Sequence, residues 1–226
     1  MPQGMGINPH RCVLVLGGSF DPVHQGHVAL AQHFVSLLQP QELRLVPAGQ
    51  PWQKTHLIAS AGQRVQMLRL AFDSGFVTPV SIDQQEIKRA EQQEPSFTID
   101  TLMNLRAELG ADTSIVFLIG ADQLQNLASW RQWRQLFKLA HICAVSRPGF
   151  AIDSKLNQEV AQEWQERAGT LQEIHDLPAG KSYLAQGLAW DVSATGIRQE
   201  LRQTQQTTSL IPAKVLDYIQ QHHLYR

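Results

Sequence analysis

A chain of 226 residues can bury one full hydrophobic core, and we expect a single domain over 1–226 in which 1–10 form a flexible extension. The net charge of −1 and the isoelectric point of about 6.8 exclude the strong basic field of proteins that act mainly on nucleic acid or anionic membranes. No apolar run approaches a membrane span, and 1–11 lack a secretory signal pattern. We therefore expect a cytoplasmic protein whose partner is a small molecule.

Strand-like and helix-like patterns alternate along the first two thirds of the chain. The predicted order is strand 12–16, helix 26–38, strand 42–47, helix 61–73, strand 77–82, helix 97–109, strand 114–119, helical stretch 122–138 and strand 141–145. Such alternation is typical of βαβ units. It predicts the α/β class, with a doubly wound parallel sheet covered by helices on both faces.

The last third of the chain is predicted to complete this architecture. We expect an amphipathic helix over 152–168, an edge strand over 171–177, a strand that leads into a helix over 190–198, and a small C-terminal helical part that begins with Pro212.

The stretch after the first strand has the pattern of a phosphate-binding turn. Gly17 and Gly18 follow a continuous apolar run and leave the backbone open to a ligand. His24 and His27 lie at the start of the next helix, where unpaired N–H groups and the positive end of the helix dipole favour an anion. Three residues apart, both side chains project to one side. Either histidine alone is equally consistent with a surface residue, but the pair favours a phosphate site.

The loops at the carboxyl ends of the other parallel strands are the next candidates for site residues. Lys54 follows the second strand in an irregular loop, where it either reaches a polyphosphate or is simply solvated. Asp122 follows the fourth strand, and its carboxylate suits ribose hydroxyls. Ser193 or Thr195 can cap a late helix, whose first N–H groups and Arg198 could then face a triphosphate.

A second anion site is predicted at the helix over 97–109. Ser96 is the expected N-cap, so the N–H groups of Phe97 and Thr98 would be available to a ligand. Trp130 is expected in the helical stretch 122–138. Its ring belongs either to the core or to a cleft in which it stacks on a flat heterocycle.

Residues 17–27, Gly-Gly-Ser-Phe-Asp-Pro-Val-His-Gln-Gly-His, resemble the signature of the nucleotidyltransferase superfamily. Further stretches extend this to a resemblance, over nearly the whole chain, to bacterial nicotinate-nucleotide adenylyltransferases. They are Pro-Ser-Phe-Thr-Ile-Asp-Thr-Leu at 95–102, Phe-Leu-Ile-Gly-Ala-Asp-Gln-Leu at 117–124, Ser-Arg-Pro-Gly at 146–149 and Val-Ser-Ala-Thr-Gly-Ile-Arg at 192–198. Two departures from the family pattern occur: 51–54 read Pro-Trp-Gln-Lys where the family often has Pro-Pro-His-Lys, and Phe97 stands where the family often has Tyr.

The resemblance implies a Rossmann-like fold of nucleotidyltransferase type and a role for each candidate. The reaction implied is adenylyl transfer from ATP to nicotinate mononucleotide, with deamido-NAD and pyrophosphate as products. His24 and His27 would contact the ATP phosphates, with His27 nearest the α-phosphate, and Lys54 and Arg198 would help to hold them. The remaining ATP-binding residues implied are Gly17, Gly18, Ser19, Phe20, Gly120, Asp122 and Ser193.

The acceptor and the metal follow from the same resemblance. The pyridine ring would stack on Trp130, while the N–H groups around Phe97 and Thr98 meet its carboxylate. Mg²⁺ would be bound through the ATP phosphates, with no metal ligands from the protein. Partners other than ATP and nicotinate mononucleotide, in particular nucleic acid and membranes, are not expected, and the assembly is expected to be a monomer or a small homo-oligomer.

Two alternatives remain open at this point. One is an adenylyltransferase for another phosphate acceptor, nicotinamide mononucleotide or pantetheine phosphate, against which Trp130 and the Pro-Ser-Phe-Thr stretch argue. The other is a non-catalytic nucleotide-sensing module, against which the presence of His24, His27, Lys54 and Arg198 argues. The lack of a catalytic dyad fits a transferase, because an acceptor phosphate is already an oxyanion and needs no general base.

Overall fold

A computed structural model describes residues 11–49, 57–145, 156–185, 192–204 and 209–226. Within these ranges six strands form one parallel sheet. They are β1 (Cys12–Gly18), β2 (Glu42–Pro47), β3 (Val80–Ile82), β4 (Ser114–Gly120), β5 (His141–Val145) and β6 (Ser182–Ala185). The strand order is β3-β2-β1-β4-β5-β6, so the sheet is wound outward in both directions from β1 and β4. The predicted α/β class and doubly wound topology are confirmed.

Helices cover both faces of this sheet. They are α1 (Gln25–Leu38), α2 (Ala61–Ala71), α3 (Gln85–Glu91), α4 (Thr98–Leu109), α5 (Ala121–Gln125), α6 (Trp133–Leu139), α7 (Gln158–Glu166), α8 (Leu171–Asp176), α9 (Ala194–Thr204) and α10 (Ala213–Gln221), with a 3₁₀ turn over Leu127–Ser129. No helix among the described residues is long and apolar enough to cross a membrane.

The alternation of side chains along β1 divides the interior into two cores. Leu14 and Leu16 pack with α1, α2, α8, α9 and α10 on one face, whereas Val13 and Val15 pack with α4 to α7 on the other. All four side chains are buried. A strand buried on both faces reads as an unbroken apolar run, which is the pattern that predicted β1.

Four predictions about elements are corrected by the structure. Residues 171–177 form helix α8 rather than an edge strand, because Thr170 and Glu173 make a reciprocal capping box, and the sixth strand lies at Ser182–Ala185 instead. The helical stretch 122–138 is divided into α5, the 3₁₀ turn and α6. Helix α3 was not predicted, and the third strand begins only at Val80.

The C-terminal helical part is present as expected. Pro212 is the N-cap of α10, and this helix packs beside α2.

Ser193 accepts a hydrogen bond from the N–H of Gly196 at 3.1 Å at the start of α9. The strand predicted at the start of 190–198 falls partly on 190–191, and the N-terminal extension falls on 1–10, which all lie outside the described residues. Val192 and Ser193, just before α9, are described and belong to neither a strand nor a helix.

Candidate active site

A cavity of about 440 Å³ lies where the strand order reverses, at the carboxyl ends of β1 and β4. This is the position at which open parallel sheets bind their ligands. Most of the predicted site residues line it. They are Gly17, Gly18, Ser19, His24, His27, Phe97, Thr98, Gly120, Asp122, Trp130 and Ser193.

The two histidines lie against each other at the start of α1. His24 is the N-cap and is buried, and its N–H donates to Nδ1 of His27 at 3.2 Å. The ring centroids are 3.7 Å apart in a stacked arrangement. Because Nδ1 of His27 accepts, the proton of the neutral ring is on Nε2, which can donate to an oxyanion.

Two glycines allow this close arrangement. A Cβ on Gly26 would lie 3.1 Å from Nδ1 of His24, and a Cβ on Gly17 would lie 3.2 Å from the ring of Phe117. Both distances are tighter than ordinary contacts. Glycine at these two positions therefore lets the rings of His24 and Phe117 pack directly against the backbone.

Phe20 and Arg198 lie behind the cavity wall rather than on it. The Phe20 ring is fully buried and meets the His27 ring edge-on, with the centroids 5.0 Å apart. Arg198 donates from Nη1 to the carbonyl of Asp21 at 2.7 Å and from Nη2 to Oγ1 of Thr195 at 3.2 Å. Their contacts with ATP stay predictions, and Lys54 lies outside the described residues.

The start of α4 forms the opposite side of the cavity. Phe97, not Ser96, is the N-cap, and it provides no side-chain oxygen to cap the helix. Ser96 instead donates to the carbonyl of Glu86 at 3.3 Å and accepts from Nε of Arg89 at 3.2 Å. The first N–H groups of α4 thus face the cavity without a side-chain cap from any described residue.

Trp130 follows the 3₁₀ turn and is half-buried in the cavity wall. Its ring is edge-on to that of Phe117, at 6.4 Å between centroids, and its indole N–H is buried without a hydrogen-bond partner among the described residues. After Trp130, Gln132 adopts a left-handed conformation with φ of 53° and is the N-cap of α6. The ring therefore lies at a turn beside the cavity and not on the stripe of a helix.

Two charged residues that sequence reasoning missed also line the cavity. The guanidinium of Arg131 lies 4.7 Å above the ring of Phe97, and the side chain is exposed. Glu86 belongs to α3 and accepts a hydrogen bond from Oγ1 of Thr101 at 2.7 Å. Burial raises the pKa of Glu86, although the Thr101 hydrogen bond and the charge of Arg89 oppose this rise. The sequence signal that could have pointed to Glu86 is its spacing. Arg89 follows three residues later, and both precede Pro-Ser-Phe-Thr at 95–98.

Comparison with known proteins agrees with this geometry. The cytidylyltransferase-like family matches residues 15–200, so fold and site define a protein of that class. A protein of Herminiimonas arsenicoxydans named "Probable nicotinate-nucleotide adenylyltransferase" is 56% identical over 96% of this chain and 97% of its own. One of the same name from Chromobacterium violaceum is 41% identical over 94% and 97%. The chain belongs to the nicotinate-nucleotide adenylyltransferase family.

A solved structure shares the fold at much lower identity. Nicotinic acid mononucleotide adenylyltransferase of Plasmodium falciparum, solved in complex with NaAD, has a TM-score of 0.70 and 18% identity. The alignment covers 96% of this chain and 98% of the Plasmodium chain.

Proposed function

We propose that the protein transfers the adenylyl group of ATP to nicotinate mononucleotide, with deamido-NAD and pyrophosphate as products. The observation that carries this proposal is the single cavity that joins the histidine pair, the uncapped start of α4 and Trp130. Relatives named for this reaction, at up to 56% identity over nearly the full chain, support it.

The side of the cavity formed by β1 and α1 fits the ATP phosphates. His24 and His27, which line this side, would donate to the ATP phosphates, with His27 nearest the α-phosphate, and the glycine backbone would admit the triphosphate. Asp122 is exposed in the first turn of α5, where its carboxylate can accept from ribose hydroxyls. Lys54 and Arg198 are proposed to add positive charge once ATP is bound.

The reaction itself needs little beyond positioning and charge neutralisation. An acceptor phosphate oxygen attacks the α-phosphorus of ATP, and the bond from that phosphorus to the bridging oxygen of pyrophosphate breaks. No proton needs to leave the acceptor, so the histidines act as donors to the charge that develops on the α-phosphate.

Mg²⁺ is proposed to enter as its complex with ATP. In this complex the cation is carried by phosphate oxygens and water, which are the hard oxygen ligands that Mg²⁺ prefers. When bound in this way, the cation would neutralise charge on the departing pyrophosphate. The protein residues then hold the phosphates, not the metal.

The side formed by α4 and Trp130 fits an acidic pyridine nucleotide. Trp130 offers a ring on which a flat heterocycle can stack, and the N–H groups after Phe97 suit the two oxygens of a carboxylate. Arg131 adds a positive charge at the same wall. An amide in this place would turn an NH₂ group toward donors, at a cost of about 1–3 kcal/mol for each unpaired buried group.

Pyrophosphate release with three acceptors tests the proposal. The protein is mixed with MgATP and with nicotinate mononucleotide, nicotinamide mononucleotide or pantetheine phosphate. We expect release with the first and a kcat/KM for the amide lower by about 10⁴. Equal use of the amide contradicts the acid preference, and use of pantetheine phosphate alone contradicts the acceptor class. Absence of release with every acceptor contradicts enzyme activity.

A further inference from the structure

The turn that carries the histidine pair is held from behind by residues distant in sequence. Nη1 of Arg64 donates to the carbonyl of Ser19 at 2.9 Å, and Nη1 of Arg198 donates to the carbonyl of Asp21 at 2.7 Å. These carbonyls flank Phe20, whose φ of 47° is unfavourable for a residue with a side chain. Such a conformation persists where its surroundings fix it.

The side chain of Asp21 is a second point of attachment. It is 2% exposed, and its Oδ2 accepts from the N–H of Ile58 at 2.8 Å. Its Oδ1 accepts from the N–H of Ala59 at 3.0 Å and from the hydroxyl of Tyr225 at 2.7 Å. The carboxylate thus joins the turn to the segment before α2 and to a residue 204 positions away.

Tyr225 is arranged to act as a permanent donor to this carboxylate. The side chain is 2% exposed, so water does not compete for its hydroxyl. Burial and the neighbouring Asp21 raise the pKa of Tyr225, so the hydroxyl stays protonated over the pH range in which proteins function. If this donor is lost, Oδ1 of the buried Asp21 carboxylate keeps the N–H of Ala59 but loses one of its two hydrogen bonds, so the carboxylate is held less tightly.

We propose that Tyr225 is a positioning residue for adenylyl transfer, whose hydroxyl fixes Asp21 and through it the turn that sets His24 and His27 at the cavity. The proposal rests on the proposed function, because it assigns Tyr225 to that same reaction. Asp21 lies three residues before His24, and Phe20 on its other side packs on the ring of His27. A shift of the Asp21 carboxylate therefore reaches both histidines.

The Tyr225→Phe variant tests this role, because it removes the hydroxyl and keeps the ring. Tyr218→Phe is the matched control, since Tyr218 is half-buried on α10 and its hydroxyl has no hydrogen bond to a described residue. We expect Tyr225→Phe to lower kcat about tenfold, with each KM changed less than about twofold, because misplaced donors weaken only the transition state. The assay is run well below the Tm of both variants.

A purely structural role gives a different result. In that case Tyr225→Phe lowers Tm but leaves kcat per folded molecule equal to that of Tyr218→Phe, which overturns the proposal. Circular dichroism and thermal unfolding measure the folded fraction of each variant, so that a loss of folded protein is not counted as a loss of kcat.

The ring signals of His24 and His27 in two-dimensional NMR provide a readout that does not depend on activity. We expect both to shift in Tyr225→Phe and to stay in place in Tyr218→Phe. Unchanged ring signals overturn the link between Tyr225 and the turn. A wild-type protein that releases no pyrophosphate overturns the proposed function instead, and with it the transfer role, while the link itself is still decided by NMR.

Discussion

The two sides of the cavity are built in different ways. The phosphate side is one continuous segment, residues 17–27, whose backbone carbonyls accept hydrogen bonds from Arg64 and Arg198 and whose Asp21 side chain accepts one from Tyr225. The acceptor side is assembled from three separate segments, α3, the start of α4 and the turn at Trp130. In the proposed function the first side would supply donors for the chemistry, whereas the second would combine a ring and charges for the selection of the acceptor. Substitutions on the two sides should therefore affect kcat and KM differently.

His27→Ala should give the largest effect, on the phosphate side. We expect kcat to fall about 10²–10³-fold, the usual loss for one donor to a developing oxyanion, with the fold intact by circular dichroism. His33→Ala on the same helix is the control, because His33 does not line this cavity. A folded His27→Ala protein with normal kcat would remove His27 from the reaction.

Trp130→Ala should act on the acceptor side and through KM. Stacking on an aromatic ring is worth about 1–3 kcal/mol, so we expect the KM for nicotinate mononucleotide to rise about 5- to 150-fold while the KM for ATP changes little. Steady-state kinetics with each substrate varied in turn measure both values. An unchanged acceptor KM would show that Trp130 only supports the wall of the cavity.

The location of the phosphate side could be predicted from the sequence because its residues are contiguous. Glycines, turn residues and two histidines within 17–27 fix both the local conformation and the chemistry. The strands of the sheet could also be predicted from local sequence, because strands that are buried on both faces have continuous apolar runs.

Less of the acceptor side could be predicted from the sequence, because its geometry depends on contacts between distant residues. Helix α3 has seven residues and only Ile87 buried, so it shows no apolar stripe, and Glu86 was missed with it. Ser96 has the chemistry of an N-cap but is bound to Glu86 and Arg89 instead. The contact of Tyr225 with Asp21, across 204 positions, leaves no local pattern at all.

Arg131→Gln sharpens the comparison, because it should change selection without changing the chemistry. The side chain is exposed, so its charge is worth about 1 kcal/mol to a carboxylate, and we expect the acid-to-amide ratio of kcat/KM to fall about fivefold. Arg134→Gln is the matched control, since Arg134 also lies over a ring but pairs with Glu159 outside the cavity. An equal loss of rate with both acceptors would contradict a role in selection.

We expect the smallest effect from a substitution of His141, which does not line the cavity. This substitution should change only the stability of the fold. It is fully buried in β5, where Nε2 donates to the carbonyl of Leu177 at 2.8 Å and Nδ1 accepts from the N–H of Lys181 at 3.1 Å. Burial is the main cause that lowers the pKa of His141 from its usual 6.5. The neutral ring is therefore the form that the fold requires.

The sign of the pH effect follows from this difference in protonation. Near pH 6.5 the unfolded chain binds more protons at His141 than the folded chain does. The free energy of unfolding therefore increases as the pH rises and decreases as the pH is lowered below about 6.5. From pH 7 to pH 6 one such group contributes a loss of at most about 0.7 kcal/mol. Urea unfolding at both values should show this loss in wild type and in the exposed control His222→Gln, but not in His141→Gln, whose side chain cannot titrate. The same loss in His141→Gln would assign the pH dependence to other groups. At pH 7 the kcat/KM of His141→Gln should equal that of wild type, because the substitution does not touch the cavity.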